Sequence, residues 1–249
     1  MALMASSAAA PLSPAERGAL DALVADLSSS FGTRLLSVVA YDLDRADGRG
    51  DIHTLALVEH LTIDDLRGLV PLARRWSRGQ LAVPLILTRD ELARTLDVFP
   101  LEYGSIIASH VAIFGGNPFA GLAVSETDWR RGCEQQAKSH LIHLREGFLE
   151  SEGDARRIAR LITASIAPFR ALLANIVRLE RGANLRGDLH DDDDLAEEAS
   201  EIIGLPSPLV RDILSSRQGV STVAEPSVLL ARYIEASERL WQFVDRWKS

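Results

Sequence analysis

Apolar residues recur at helical spacing directly after the segment Ser13-Pro14-Ala15-Glu16, at Leu20, Leu23, Val24 and Leu27. A capping serine, a proline at the first helical position and a glutamate three residues after the cap together mark a helix start. Thr62–Asp65 and Thr88–Glu91 repeat this arrangement of a cap followed by an acidic residue. The pattern therefore predicts three helices that begin near residues 14, 63 and 89.

Runs of apolar residues with the character of β-strands separate these helices. Residues 35–41 are apolar and β-branched, and residues 52–58 carry apolar side chains on both faces. The second run is therefore predicted to be a central, buried strand. Residues 81–88 and 110–116 predict two further strands, and Pro84 suits an edge strand or the entry to a strand.

From about residue 125 apolar residues recur at helical spacing, and no strand pattern interrupts them. Ser125–Asp128 and Asp154 are predicted to begin two long helices, and Pro168 should kink or break the second. An acidic loop, two shorter helices and a final helix over residues 226–247 follow. We therefore predict an α/β module followed by a helical bundle. The predicted divisions are a disordered tail over 1–12, an α/β domain over 13–124 and a helical domain over 125–249.

Composition narrows the partners that we expect. The 249-residue chain carries a net charge of −8, which disfavours nucleic acid and anionic membrane surfaces as partners. No uninterrupted apolar run approaches 18 residues, so we expect no membrane span. The single cysteine, Cys133, cannot form an intramolecular disulfide; we expect a packed thiol and a cytoplasmic protein. Trp241, Val244 and Trp247 share a helix face and predict either core packing or a contact in a homo-oligomer.

The segment LLSVVAYDLDRADGRGDIHTLALVE, residues 35–59, carries the candidate chemistry. Its loop, residues 42–50, holds arginines and glycines, and Asp51 opens the next strand. Two interpretations remain open for the acidic residues. A rebuilt site could bind a divalent ion such as Mn²⁺ or Zn²⁺ through Asp42, Asp44, Asp47, Asp51 and His53. Alternatively, the loop is solvated, and its aspartates and glycines serve turn formation.

This order of elements resembles the nucleotidyltransferase superfamily of the kanamycin nucleotidyltransferase and MNT type. FGTRLLSVVAYD is similar to the strand entry of that family, RADGRGD to its basic glycine-bearing loop, and DIHTLALV and ILTRDEL to its later strands. The resemblance implies an α+β fold with a small mixed sheet followed by an all-α bundle. It also implies a catalytic Asp51 and a metal site of Asp51, His53 and Asp42. Nucleotide would be bound by Arg45, Gly48, Arg49 and Gly50.

The sequence departs from the family pattern at each chemical position. Asp42-Leu43 stands where the family has Gly-Ser, whose amides and hydroxyl bind phosphate. The family's Asp-x-Asp becomes Asp51-Ile52-His53, and imidazole is a weak substitute for a carboxylate on Mg²⁺. The third strand, VPLILT, has no acidic residue.

These departures favour a catalytically inactive protein that acts as a ligand-binding or protein-interaction module, with a nucleotide or small molecule as ligand. The alternative is an active, divergent nucleotidyltransferase that moves a nucleoside monophosphate to a small-molecule or protein hydroxyl. Mg²⁺ or Mn²⁺ would be required only in that case. A third alternative is that the resemblance to this family is accidental. A parallel, doubly wound sheet in the structure would show this.

Overall fold

The structure, a computed structural model, describes residues 12–43, 51–182, 189, 191–216 and 225–247. The chain divides into two compact units, Met1–Ser125 and Glu126–Ser249. The first unit combines helices with a sheet, and the regular secondary structure of the second is helical over its described residues. The predicted α+β class is therefore confirmed.

The described part of the first unit contains four α-helices, a short 3₁₀ helix (Gly32–Arg34) and four strands. The helices are α1 (Pro14–Phe31), α2 (Ile63–Arg78), α3 (Arg89–Thr95) and α4 (Pro100–Ala108). The strands are β1 (Leu35–Tyr41), β2 (His53–Val58), β3 (Leu85–Thr88) and β4 (His110–Gly115). Ser13, Thr62 and Thr88 each form a complete capping box, which confirms the three predicted helix starts.

The sheet has the strand order β3-β2-β1-β4. β1 runs antiparallel to both β2 and β4, whereas β2 and β3 are parallel. The sheet is therefore mixed, as predicted, and not the parallel, doubly wound alternative. β2 lies between two strands, and its residues Thr54–Val58 are buried, so its prediction as a central strand is confirmed.

Each face of the sheet is covered by one pair of helices. On one face Leu23 of α1 and Leu69 of α2 pack in a buried cluster with Val38 and Ala56. On the other face Leu92 of α3 packs in a second cluster with α4, Val39 and Leu55. Successive strand residues point to opposite faces, so β1 and β2 contribute alternately to the two clusters.

The predicted strand over 81–88 is shorter in the structure, where β3 begins only at Leu85. Leu81 forms an isolated parallel bridge to Ile52, and Ala82 donates a backbone hydrogen bond of 2.9 Å to the Ile52 carbonyl. Pro84 has no N–H and stands immediately before β3, so it interrupts the ladder. β3 is an edge strand, as the position of Pro84 predicted.

The second unit comprises α5 (Glu126–Glu150), α6 (Ala155–Arg181), α7 (Asp192–Ile203), α8 (Ser207–Ser215) and α9 (Pro226–Arg246). α6 contacts each of the other four helices. By length and composition α6 is apolar enough to cross a membrane, yet half of its apolar window is buried inside the protein. Burial of this kind is the arrangement of a core helix.

Two helices of the structure differ from the sequence predictions. Pro168 is predicted to kink or break the second long helix, and it does not break it: α6 continues through Pro168 to Arg181. Proline removes one backbone hydrogen bond and crowds the preceding turn. In that turn the Tyr233 hydroxyl donates to the Ser165 carbonyl at 3.2 Å, and buried apolar residues along α6 hold the helix together. α4 was not predicted; it begins at Pro100 without a side-chain cap.

Candidate functional site

The end of β1 and the beginning of β2 bring three of the predicted site residues to one edge of the sheet. Tyr41, the last residue of β1, is paired with His53, the first residue of β2. Asp42 follows Tyr41 directly and has a left-handed φ of 54°, a conformation that glycine adopts most easily. Asp51 stands just before β2, and Asp42, Asp51 and His53 are all exposed.

The predicted phosphate-binding loop lies outside the described residues. Arg45, Gly48, Arg49 and Gly50 all belong to it, as do Asp44 and Asp47. Their roles in nucleotide or metal binding stay predictions.

The segment on the other side of β2 carries no acidic side chain. Ile52 donates its backbone N–H to the Gln80 carbonyl at 2.8 Å, so residues 80–82 run beside the start of β2. These residues are Gln80, Leu81 and Ala82, and β3 continues with apolar residues and Thr88. Within the described part of the chain no three carboxylate, imidazole or thiol groups lie together so that they could hold a metal ion.

The described donors do not fit the Mg²⁺ site of the family. Two Mg²⁺ ions that bridge nucleotide phosphates require several carboxylate oxygens. Asp51 is the only carboxylate at a position where the family pattern has one, since His53 replaces the second and residues 80–88 lack the third.

A row of three ring side chains crosses the same end of the sheet. Tyr41 is paired with His53 on β2 and with His110 on β4. The Tyr41 and His53 rings lie 5.6 Å apart, and the His110 ring makes an edge contact with Phe119 at 4.9 Å. Phe119 belongs to the buried cluster under α3 and α4, and the partly buried Tyr41 packs against that cluster. We call His53, Tyr41 and His110 the ring row.

The hydrogen bonds of the ring row define what it can offer a ligand. Nδ1 of His110 lies 3.0 Å from the Ile106 carbonyl, which only accepts hydrogen bonds, so Nδ1 carries the proton. In the neutral form of the ring, Nε2 is then the acceptor. Burial, followed by the charge of Asp42 and the proximity of Tyr103, raises the pKa of Tyr41. Tyr41 therefore remains a neutral phenol at neutral pH, able to donate one hydrogen bond.

Sequence reasoning missed Tyr41 and His110 as site residues. His110 lies 69 positions after Tyr41, and nothing local in HVAIFGG marks its histidine as a site residue. Only the pairing of β4 with β1 places the two side by side. Tyr41 could have been found from its position immediately before the segment that resembles the family loop.

Away from this end of the sheet, Cys133 of α5 behaves as the sequence predicted, and two histidines follow it on the same helix. Cys133 is buried, and burial raises the pKa of its thiol to about 12, consistent with a packed rather than a reactive cysteine. His140 is buried beneath Tyr233, whereas His143 is exposed beside Glu146. His140 therefore has a packed position in the helical unit, and His143 has a surface position.

Comparison with known proteins identifies the fold. No protein-family model matches the chain, and no curated protein sequence does so. Among solved structures the chain is similar to spectinomycin adenyltransferase AAD(9) from Enterococcus faecialis, which was solved with ATP and spectinomycin. The TM-score is 0.52 at 11% sequence identity, and the match covers 90% of this chain and 98% of that one. At this identity the likeness shows the fold alone: a nucleotidyltransferase-like α+β domain followed by a helical region.

Proposed function

We propose that this nucleotidyltransferase-fold protein has lost nucleotide transfer and binds a nucleotide or another small molecule at the ring row. The proposal rests on the types of residue that surround Asp51 at this end of the sheet. His53 stands two residues beyond Asp51, and Gln80, Leu81 and Ala82 run alongside. A site built for two Mg²⁺ ions would need further carboxylates at these positions.

The phosphate side of the site supports the same proposal. Asp42 has the left-handed conformation suited to the glycine of the family's Gly-Ser. Its carboxylate would repel a triphosphate, where the family offers a close backbone approach. Leu43, at the position of the serine, is 8% exposed and packs in the cluster under α1 and α2, so it offers no donor.

The ring row supplies a different kind of recognition. Tyr41 offers a phenol O–H and an aromatic ring, and the imidazoles of His53 and His110 flank it. Planar rings of this kind stack on the rings of a ligand and hydrogen-bond its polar edge. A nucleobase or another planar small molecule would be bound through these contacts without a metal ion.

The alternative function is an active, divergent nucleotidyltransferase. The structural similarity to an adenyltransferase extends over both units of the chain. That adenyltransferase was solved with ATP and spectinomycin, and the similarity to it favours the alternative. Asp51 would then be the principal metal ligand, with His53 or Asp42 assisting, and Mg²⁺ or Mn²⁺ would be required.

Restoring the family carboxylate tests the assignment of Asp51 and His53. In His53→Asp, a second carboxylate at the start of β2 would stand two residues after Asp51, in the spacing of the family's Asp-x-Asp. We expect isothermal titration calorimetry with ATP to show at least five-fold tighter binding in Mg²⁺ than in EDTA for this variant. For the wild-type protein the two affinities should agree within two-fold.

The matched control is His110→Asp, which adds a carboxylate to the same ring row on a different strand. We expect no metal dependence for it. An equal response of the two variants would show that Asp51 and His53 do not occupy the Asp-x-Asp positions.

A further inference from the structure

The first unit contains a cavity at the opposite end of β1 from Asp51 and His53. The cavity has a volume of about 340 Å³, and Ser37 and Leu57, which are paired across β1 and β2, line it. Tyr41, at the other end of β1, lies four residues or about 13 Å further along the strand. The cavity is therefore separate from the ring row.

The floor of the cavity is apolar, and its rim carries hydrogen-bond donors. Leu57 and Leu92 are at most 4% exposed and, with Leu122, form the apolar part of the lining. At the rim the Asn117 side-chain oxygen accepts a hydrogen bond from the Phe119 N–H at 2.9 Å, which leaves the amide NH₂ as a donor. Arg89, the first residue of α3, also lines the cavity, and its guanidinium is a further source of donors.

Among the described residues that line the cavity, Arg89 is the one that carries a charge. Its side chain is exposed and has no ion-pair partner among the residues that the structure describes. None of the described residues that line the cavity is acidic. Arg89 and Asn117 thus offer donors to an anion, with an apolar surface beside them. The planar fork of a guanidinium matches the two oxygens of a carboxylate.

We propose that this cavity binds a small amphipathic carboxylate, whose apolar body lies over Leu57, Leu92 and Leu122 and whose carboxylate meets Arg89 and Asn117. The volume is at the lower end of the range for small-molecule sites and suits a chain of about eight carbons or a single substituted ring. The small residues Ala93 and Ala120 keep the cavity open. The proposal is independent of nucleotide binding at the ring row.

Octanoate and its uncharged analogue octanamide test the site in the full-length protein. We expect heteronuclear NMR titration to show octanoate shifting the amides that surround the cavity. Arg89→Gln should weaken octanoate binding at least five-fold and leave octanamide binding unchanged within two-fold. Arg94→Gln, on the exposed side of the same helix and absent from the lining, is the matched control and should change neither.

A second variant tests the apolar part of the cavity. Ala93 is exposed, so Ala93→Trp should fold and place an indole over the cavity. We expect this variant to lose the binding of both compounds. Octanoate binding that is unchanged in Arg89→Gln, or that survives in Ala93→Trp, would overturn the proposal, as would the absence of any octanoate binding to the wild-type protein.

Discussion

Gly115→Ala should destabilise the first unit by roughly 2–4 kcal/mol. Gly115 has a φ of 70°, where a Cβ costs about 1 kcal/mol. A Cβ at this position would also stand 2.2 Å from the Leu36 carbonyl oxygen on β1. Relieving the contact requires β4 to part from β1, and forced repacking of this kind costs about 1–3 kcal/mol. Hydrogen exchange of the β1 and β4 amides measures the loss.

Substitutions at two nearby glycines separate the cost of the positive φ from the cost of the contact with Leu36. A Cβ at Gly116 would meet nothing within 4 Å, and its φ is not positive, so Gly116→Ala should change stability by less than about 0.5 kcal/mol. Gly121 has a φ of 79° but open space around it, so Gly121→Ala should cost only about 1 kcal/mol. Equal effects at the three positions would show that the close approach to Leu36 is unimportant.

The stability of the helical unit should fall in mild acid because of His140. This side chain is 7% exposed, and its Nε2 lies 2.9 Å from the Tyr233 hydroxyl oxygen. Burial, with a smaller contribution from His143, lowers the pKa of His140 from 6.5 to about 4. Between these pH values the unfolded chain binds a proton that the folded protein excludes. Stability is therefore fully present above pH 6.5 and is lost as the pH falls towards 4, by roughly 3 kcal/mol.

Urea denaturation at pH 7 and at pH 4.5 measures this loss. Because carboxylates also titrate in this range, the informative quantity is the difference between the wild-type protein and His140→Gln, which should lack about 2–3 kcal/mol of the pH dependence. His143→Gln, at an exposed site three residues later, should behave like the wild-type protein. The same pH dependence in all three proteins would contradict the assignment to His140.

The parts of the fold that were predictable from sequence are those determined by neighbouring residues. Ser13, Thr62 and Thr88 each mark a helix start in the sequence, because both halves of a capping box lie within four residues. Continuous apolar character likewise identified β2. α4 was missed because Phe99 provides no side-chain cap. Beside Pro168, the Ser165 carbonyl in α6 accepts a hydrogen bond from Tyr233, which is 65 positions after Pro168 in the sequence.

The candidate site was predictable only in part, for the same physical reason. The position of Asp51 and His53 at the beginning of a central strand followed from the sequence. The ring row did not, because His110 reaches Tyr41 only through strand pairing. The cavity beside Arg89 also depends on tertiary structure, since its lining comes from β1, β2, α3 and the segment after β4.

The dependence of ATP binding on metal and on Asp51 tests the central claim most directly. We predict that calorimetry of the wild-type protein and of Asp51→Ala gives the same ATP affinity within two-fold, in Mg²⁺, in Mn²⁺ and in EDTA, because the described edge of the sheet lacks the carboxylates of a two-metal site. Binding to the wild-type protein that is at least ten-fold tighter with metal than in EDTA, and that Asp51→Ala abolishes, would contradict this account. That result would show a working metal and nucleotide site and would favour the alternative of an active nucleotidyltransferase.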